Sequence, residues 1–149
     1  PHAFMGMTKM GQSANFKTRG NSDCHVILRG GKQTNYAAAD VDAACALLSK
    51  AGLRPQVMVD VSHANSSKQH QRQIDVSADV AAQVAAGDAR ITGLMIESHL
   101  QEGRQDIVAG QPLLPGVSVT DACISMAQTV PVLQQLAAAV RARRALAAA

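Results

Sequence analysis

From residue 24 onward, short apolar runs alternate with stretches in which apolar residues recur at helical spacing. That alternation predicts βα units built on a parallel sheet, so the fold class is α/β. The first unit, 24–52, has a strand at 24–28 (Cys24-His25-Val26-Ile27-Leu28) ending in Arg29-Gly30-Gly31. Its helix starts near Ala38 and carries Val41, Ala44, Cys45 and Leu48 on one stripe, with Gly52 as the stop. The second unit, 56–87, has a strand at 56–61 whose Val57, Met58, Val59 and Val61 form a nearly continuous apolar run, and a helix with Val76, Val80 and Val84. In the third unit, 91–144, a strand at 91–96 precedes a Gly- and Pro-bearing stretch from about 103 to 116. A last helix is expected over about 129–144, capped by Thr129 with Pro131 near its first turn, where a missing N–H costs nothing. Beyond Arg144 the alanine-rich tail reads as a fraying helix end. Ahead of these units, residues 2–8 and 13–18 flank Lys9-Met10-Gly11-Gln12 and predict a β-hairpin within 1–20.

Composition narrows the field without choosing a function. A chain of 149 residues, 47% apolar and 17% charged, fits one globular domain and excludes disorder. The net charge of +3 is scattered, apart from Arg141, Arg143 and Arg144, and the aromatic residues are Phe4, Phe16 and Tyr36. No basic stretch is interleaved with stacking side chains, so we expect no nucleic-acid partner. Cys24, Cys45 and Cys123 are odd in number and widely spaced, which fits neither a disulfide framework nor a zinc finger and points to a reducing cytoplasm. No apolar run approaches the roughly 18 residues of a membrane span, and no basic-then-apolar leader opens the chain, so neither membrane insertion nor export is expected. The segment beginning at Pro1 already reads as structured, and we expect the chain to be part of a longer one.

Chemistry enters through spacing. Arg29 follows the first strand, His63 the second and Glu97 the third, and 34 positions separate each from the next. In parallel α/β folds the C-terminal strand ends form one rim, and functional groups there come from several strands. A single polar residue just past a buried strand is more often a plain loop residue. Three at one register predict a shared site, and an arginine, an imidazole and a carboxylate suit an anion or a divalent cation. The remaining candidates are weaker. His25 sits on the opposite rim and reads as structural, His2 and His70 have no evident partner, and loop geometry is expected to turn His99 away. Gly30-Gly31 could let backbone N–H groups approach a phosphate, but a lone Gly pair is usually only a turn.

Four stretches carry a family resemblance: Cys24-His25-Val26-Ile27-Leu28-Arg29-Gly30-Gly31-Lys32, Val59-Asp60-Val61-Ser62-His63-Ala64-Asn65-Ser66-Ser67-Lys68, Met95-Ile96-Glu97-Ser98-His99, and Ser118-Val119-Thr120-Asp121-Ala122-Cys123-Ile124. In order and interval the chain resembles the microbial, feedback-inhibited class of 3-deoxy-7-phosphoheptulonate synthases, closely from Pro1 to about Ile124 and loosely beyond. The resemblance implies a (β/α)8 TIM barrel, of which residues 1–149 would supply units six to eight and the hairpin inserted before them. It implies that His63, Glu97 and Asp121 are three of four ligands to a divalent metal of the Mn, Fe or Co class, with His63 and Asp121 at the catalytic centre. Arg29 would contact the phosphate of phosphoenolpyruvate, and erythrose 4-phosphate would be the second substrate. The hairpin would belong to the site of an aromatic amino-acid inhibitor, with Phe4, Gly6 and Phe16 either lining it or serving as hairpin core. The intact enzyme would be a homo-oligomer.

Several family features are absent or altered. The cysteine ligand and the Lys-Pro-Arg-Thr motif of the family belong to earlier barrel strands, and none of the three cysteines here occupies that motif. Ser125-Met126-Ala127-Gln128-Thr129 stands where the family usually carries Trp-Glu. Three strands of a barrel also leave open edges and a bare inner face. We therefore expect the chain alone to be inactive and poorly folded. The alternative function is a noncatalytic metal- or phosphate-binding module derived from this fold.

Overall fold

The structure, a computed structural model, describes residues 1–148. Strands β1 (His2–Met7) and β2 (Ser13–Thr18) pair antiparallel in register from His2 opposite Thr18 to Met7 opposite Ser13. The turn closes through Thr8 N–H to the Gln12 carbonyl at 2.9 Å, and Gly11 takes a φ of 76° that other residues resist. Phe4 lies opposite Phe16, and the two rings stack with centroids 5.7 Å apart. Among the described residues this hairpin pairs with no other strand.

The central sheet is parallel, in the order β3 (Val26–Leu28), β4 (Val57–Asp60) and β5 (Ile91–Met95). Alternation along β4 sends Val57, Val59 and Val61 to one face, where all three are fully buried. Helices α1 (Ala38–Lys50), α2 (Arg72–Ala85) and α3 (Met126–Ala147) complete that core with Val41, Cys45, Val76, Val80, Val84 and Ala139. Each buried valine contributes about 1.5–3 kcal/mol through the water it sheds. Met58, between Val57 and Val59, and its β3 partner Ile27 point to the other face, and Ile27 remains 45% exposed. An extra residue at Thr92 bulges β5, and its hydroxyl donates to the Val57 carbonyl at 3.1 Å.

Four features differ from the sequence expectations. β3 starts at Val26, two residues late, because Asn21 Oδ1 accepts the Asp23 N–H at 2.9 Å and Val26 is the first residue with a strand partner. The last helix starts at Met126 and not near Thr129. Ser125 caps it, its Oγ accepting the Gln128 N–H at 3.2 Å while Gln128 Oε1 accepts the Ser125 N–H at 2.7 Å. Thr129 lies inside the helix, donating to the Ser125 carbonyl at 2.8 Å, and Pro131 is an interior residue that leaves the Ala127 carbonyl without its helical donor. The helix also continues past Arg144 to Ala147. Finally, two short strands that periodicity cannot detect, β6 (Ser98–His99) and β7 (Ile124–Ser125), pair in parallel, and β7 runs straight into the α3 cap.

Candidate functional site

The site lies at the C-terminal ends of β4 and β5. His63 follows β4, Glu97 follows β5, and Asp121 comes from the loop that enters β7. One ligand atom from each lies within 4.8 Å of the other two. They border a cavity of about 110 Å³ shared with Ser62, Lys68, His70 and Ala122. The loop after β4 reaches this position through left-handed backbone at His63, Ser67 and Lys68 (φ 45°, 53° and 58°). Such conformations cost non-glycine residues about 1–2 kcal/mol each. They are held by Lys68 N–H to the His63 carbonyl at 2.8 Å and Ser66 N–H to the Ser62 carbonyl at 3.1 Å.

A buried polar scaffold orients two of the three side chains, His63 and Glu97. Ser62 Oγ donates to Glu97 Oε2 at 2.9 Å, leaving Oε1 facing His63 Nε2 at 3.6 Å. Behind the imidazole, Asp60 Oδ2 lies 2.7 Å from Nδ1, and its Oδ1 accepts the Ser62 N–H at 2.8 Å. Asp60 is 0% exposed. Gln73, equally buried, joins α2 to the end of β5 through the backbone of Glu97.

Arg29 directly follows β3. Its exposed side chain has no hydrogen bond or ion pair among the described residues, and it does not line the cavity. Its backbone is nonetheless coupled to that of His63. Gly30, at φ 74°, packs so closely that a Cβ there would lie 2.8 Å from Ala64 Cβ and 3.1 Å from the Asn65 nitrogen. Asn65 Nδ2 donates to the carbonyls of Leu28 at 3.0 Å and Asp60 at 2.8 Å, tying the ends of β3 and β4 together. Asn35 completes the tie, its N–H reaching Asn65 Oδ1 at 2.8 Å and its Oδ1 accepting the Gly30 N–H at 2.7 Å.

The other histidines fall outside the ligand group. His70, which sequence left without a partner, contacts Glu102 Oε1 at 2.9 Å. Hydrogen bonds from Gln71 and His70 hold the Glu102 carboxyl below its usual range. His99 sits on β6 against the backbone of Leu100 and Gly116, and His2 packs near Phe4. Cys123 is close in sequence to Asp121, but burial pushes its thiol up, and its Sγ contacts the Asp121 carbonyl at 3.4 Å. It is not among the side chains that converge as possible ligands. In the hairpin, Phe4 and Phe16 are 48% and 38% exposed, and the Phe16 ring lies 3.1 Å from where a Cβ on Gly6 would stand.

An imidazole and two carboxylates converging on one small cavity fit a hard or borderline divalent cation. Without positive charge between them, the carboxylates would repel each other. Equal spacing singled out His63 and Glu97 but not Asp121, which lies in the loop ahead of the two-residue β7.

Comparison with known proteins places these features among relatives. A family model described as the DAHP synthetase I family matches residues 1–134. The Phe-sensitive phospho-2-dehydro-3-deoxyheptonate aldolase of Escherichia coli is 56% identical over 144 residues, covering 97% of this chain and 41% of that protein. The tyrosine-inhibited phospho-2-dehydro-3-deoxyheptonate aldolase of Schizosaccharomyces pombe is 51% identical over 153 residues, covering 97% of this chain and 40% of that protein. The structure of phospho-2-dehydro-3-deoxyheptonate aldolase from Francisella tularensis superimposes with a TM-score of 0.87 at 46% identity, over 96% of this chain and 42% of that one. The chain thus spans about two-fifths of the length of the relatives it matches.

Proposed function

The chain belongs to the DAHP synthetase I family, and from that premise we propose that it is a C-terminal segment, barrel units six to eight with their preceding hairpin, of a 3-deoxy-7-phosphoheptulonate synthase. The longer protein condenses phosphoenolpyruvate, erythrose 4-phosphate and water to 3-deoxy-D-arabino-heptulosonate 7-phosphate and phosphate. The convergence of His63, Glu97 and Asp121 carries this reading. A divalent ion of the Mn, Fe or Co class, when bound there, supplies Lewis-acid polarisation of the aldehyde. His63 offers Nε2, and Glu97 and Asp121 offer one carboxylate oxygen each. Arg29 holds the phosphate of phosphoenolpyruvate by charge-assisted hydrogen bonds, orienting carbon 3 toward the aldehyde carbon. Carbon–carbon bond formation leaves carbon 2 electron-poor, water adds there, and the phosphate departs.

The hairpin supports a regulatory reading of the same protein. Relatives carry the names Phe-sensitive, tyrosine-inhibited and Trp-sensitive. Phe4, Gly6 and Phe16 form an exposed aromatic shelf on one face of β1 and β2, suited to stack an aromatic amino acid.

The test uses the full-length protein. Phosphate release from phosphoenolpyruvate should require both erythrose 4-phosphate and a divalent metal, and His63→Ala or Glu97→Ala should abolish it. Full activity in either variant would remove the ligand assignment. A noncatalytic module predicts a different result, metal binding with no phosphate release from the full-length protein.

A further inference from the structure

Asp60 is the last residue of β4 and the only fully buried carboxylate among the described residues. A buried carboxylate is costly unless its charge is compensated. No lysine or arginine pairs with it among the described residues, and the nearest cationic or protic group is the His63 imidazole. The 2.7 Å contact between Oδ2 and Nδ1 is off the alignment of an ideal hydrogen bond, and neither atom has another partner. Oδ1 is already engaged by the Ser62 N–H. The carboxylate can therefore neither rotate freely nor find a different donor.

We propose that Asp60 is a positioning residue: it fixes His63 in the tautomer with the proton on Nδ1, so that the Nε2 lone pair faces the space shared with Glu97 and Asp121. The inference rests on the metal-site reading above. A carboxylate accepts only, so the atom facing it must be a donor, and a neutral imidazole then leaves Nε2 bare. Nε2 is the nitrogen turned toward Glu97 Oε1. Ser62 contributes at both ends, its N–H anchoring Asp60 and its Oγ anchoring Glu97, so the imidazole and the carboxylate are set by one residue. A positioned tautomer raises ligand basicity and spares the cost of selecting it on binding.

A purely structural Asp60 makes a different prediction from a positioning one. Asp60→Asn keeps the size of the side chain, and its amide oxygen can still accept the Ser62 N–H. That orientation turns the amide nitrogen toward His63 Nδ1. Two donors cannot face each other, so the substitution drives the imidazole proton to Nε2 and blocks the metal-facing lone pair.

The experiment uses the full-length protein, stripped of metal, with 15N-labelled histidine, above the pH range in which imidazoles titrate. In the unsubstituted protein the His63 nitrogen shifts should report Nδ1–H, and in Asp60→Asn they should report Nε2–H. Titration with Mn²⁺, followed by its paramagnetic resonance signal, should show about a 10–100-fold rise in Kd for Asp60→Asn. An unsubstituted protein with His63 protonated on Nε2 overturns the proposal without any variant, so a variant that fails to fold leaves it decidable. An unchanged Kd in a folded Asp60→Asn protein overturns it too. His63→Ala separates the two levels. If it loses Mn²⁺ while Asp60→Asn binds normally, only the role of Asp60 falls; if it keeps Mn²⁺, the metal-site reading falls as well.

Discussion

Gln73 grips Glu97 by both backbone groups: its Nε2 donates to the Glu97 carbonyl at 3.1 Å, and its Oε1 accepts the Glu97 N–H at 2.8 Å. A helix side chain thus substitutes for the strand pairing that ends at Met95, and sets where the Glu97 carboxylate emerges. Gln73→Leu fills the same space but leaves the Glu97 N–H without its partner, at about 1–3 kcal/mol, while the Glu97 carbonyl keeps the Ile124 N–H at 3.0 Å. The variant should unfold at lower denaturant concentration and bind Mn²⁺ more weakly. Chemical denaturation and metal titration of the full-length protein check both effects, and a variant unchanged in either would dispute the coupling.

Gly30 should be intolerant of even one methyl group. A Cβ would stand 2.8 Å from Ala64 Cβ, on a residue whose φ is 74°, so conformational strain and overpacking combine to cost about 2 kcal/mol or more. The displaced backbone carries Arg29 with it. Gly30→Ala should therefore raise KM for phosphoenolpyruvate, and steady-state kinetics alongside a thermal melt separates that effect from instability.

The rim is thus more coupled than its sequence spacing implies. Apolar runs located the sheet because Val57, Val59 and Val61 are buried by helices whose own valines recur at helical spacing. The same logic could not locate β6 and β7, which have two residues each and no periodicity to detect. Asp121 was singled out only through family resemblance, since it lies in a loop that no periodicity marks. The α3 start was legible but misread, because Ser125 and Gln128 form the S-x-x-Q capping signature four residues before the Thr129 chosen as cap. Asp60 was inside a recognised motif, yet its importance depends on burial, which a strand reading alone does not assign to a charged residue.

Acid should weaken a second ion-pair cluster, at the opposite end of the sheet. Asp88 accepts from Arg90 Nε at 3.0 Å and from a terminal guanidinium nitrogen at 2.7 Å, and these bonds hold its carboxyl below its ordinary 3.8. A depressed folded-state value stabilises the fold above the unfolded value, and that contribution disappears as pH falls through the folded one. Asp88→Asn should cost about 1–2 kcal/mol at neutral pH, and the gap to the unsubstituted protein should close below about pH 4. Denaturation across that pH range is the check, and a gap that widens on acidification would contradict the assignment.

Phe16 is expected to matter to inhibitor recognition. Phe16→Ala removes one ring of the stacked pair, worth about 0.5–1.5 kcal/mol beyond its buried area. Calorimetric titration of the full-length protein with phenylalanine, tyrosine and tryptophan should show weaker binding of whichever one the unsubstituted protein binds. Undiminished affinity would return Phe4, Gly6 and Phe16 to the role of hairpin core.

The central claim is that His63, Glu97 and Asp121 hold one divalent ion, and the most direct test is a crystal of the full-length protein soaked in Mn²⁺ and measured for anomalous scattering. The account predicts a single strong peak about 2.0–2.3 Å from His63 Nε2 and from one carboxylate oxygen each of Glu97 and Asp121. A peak bound elsewhere, or none among these three side chains under saturating Mn²⁺, would contradict it.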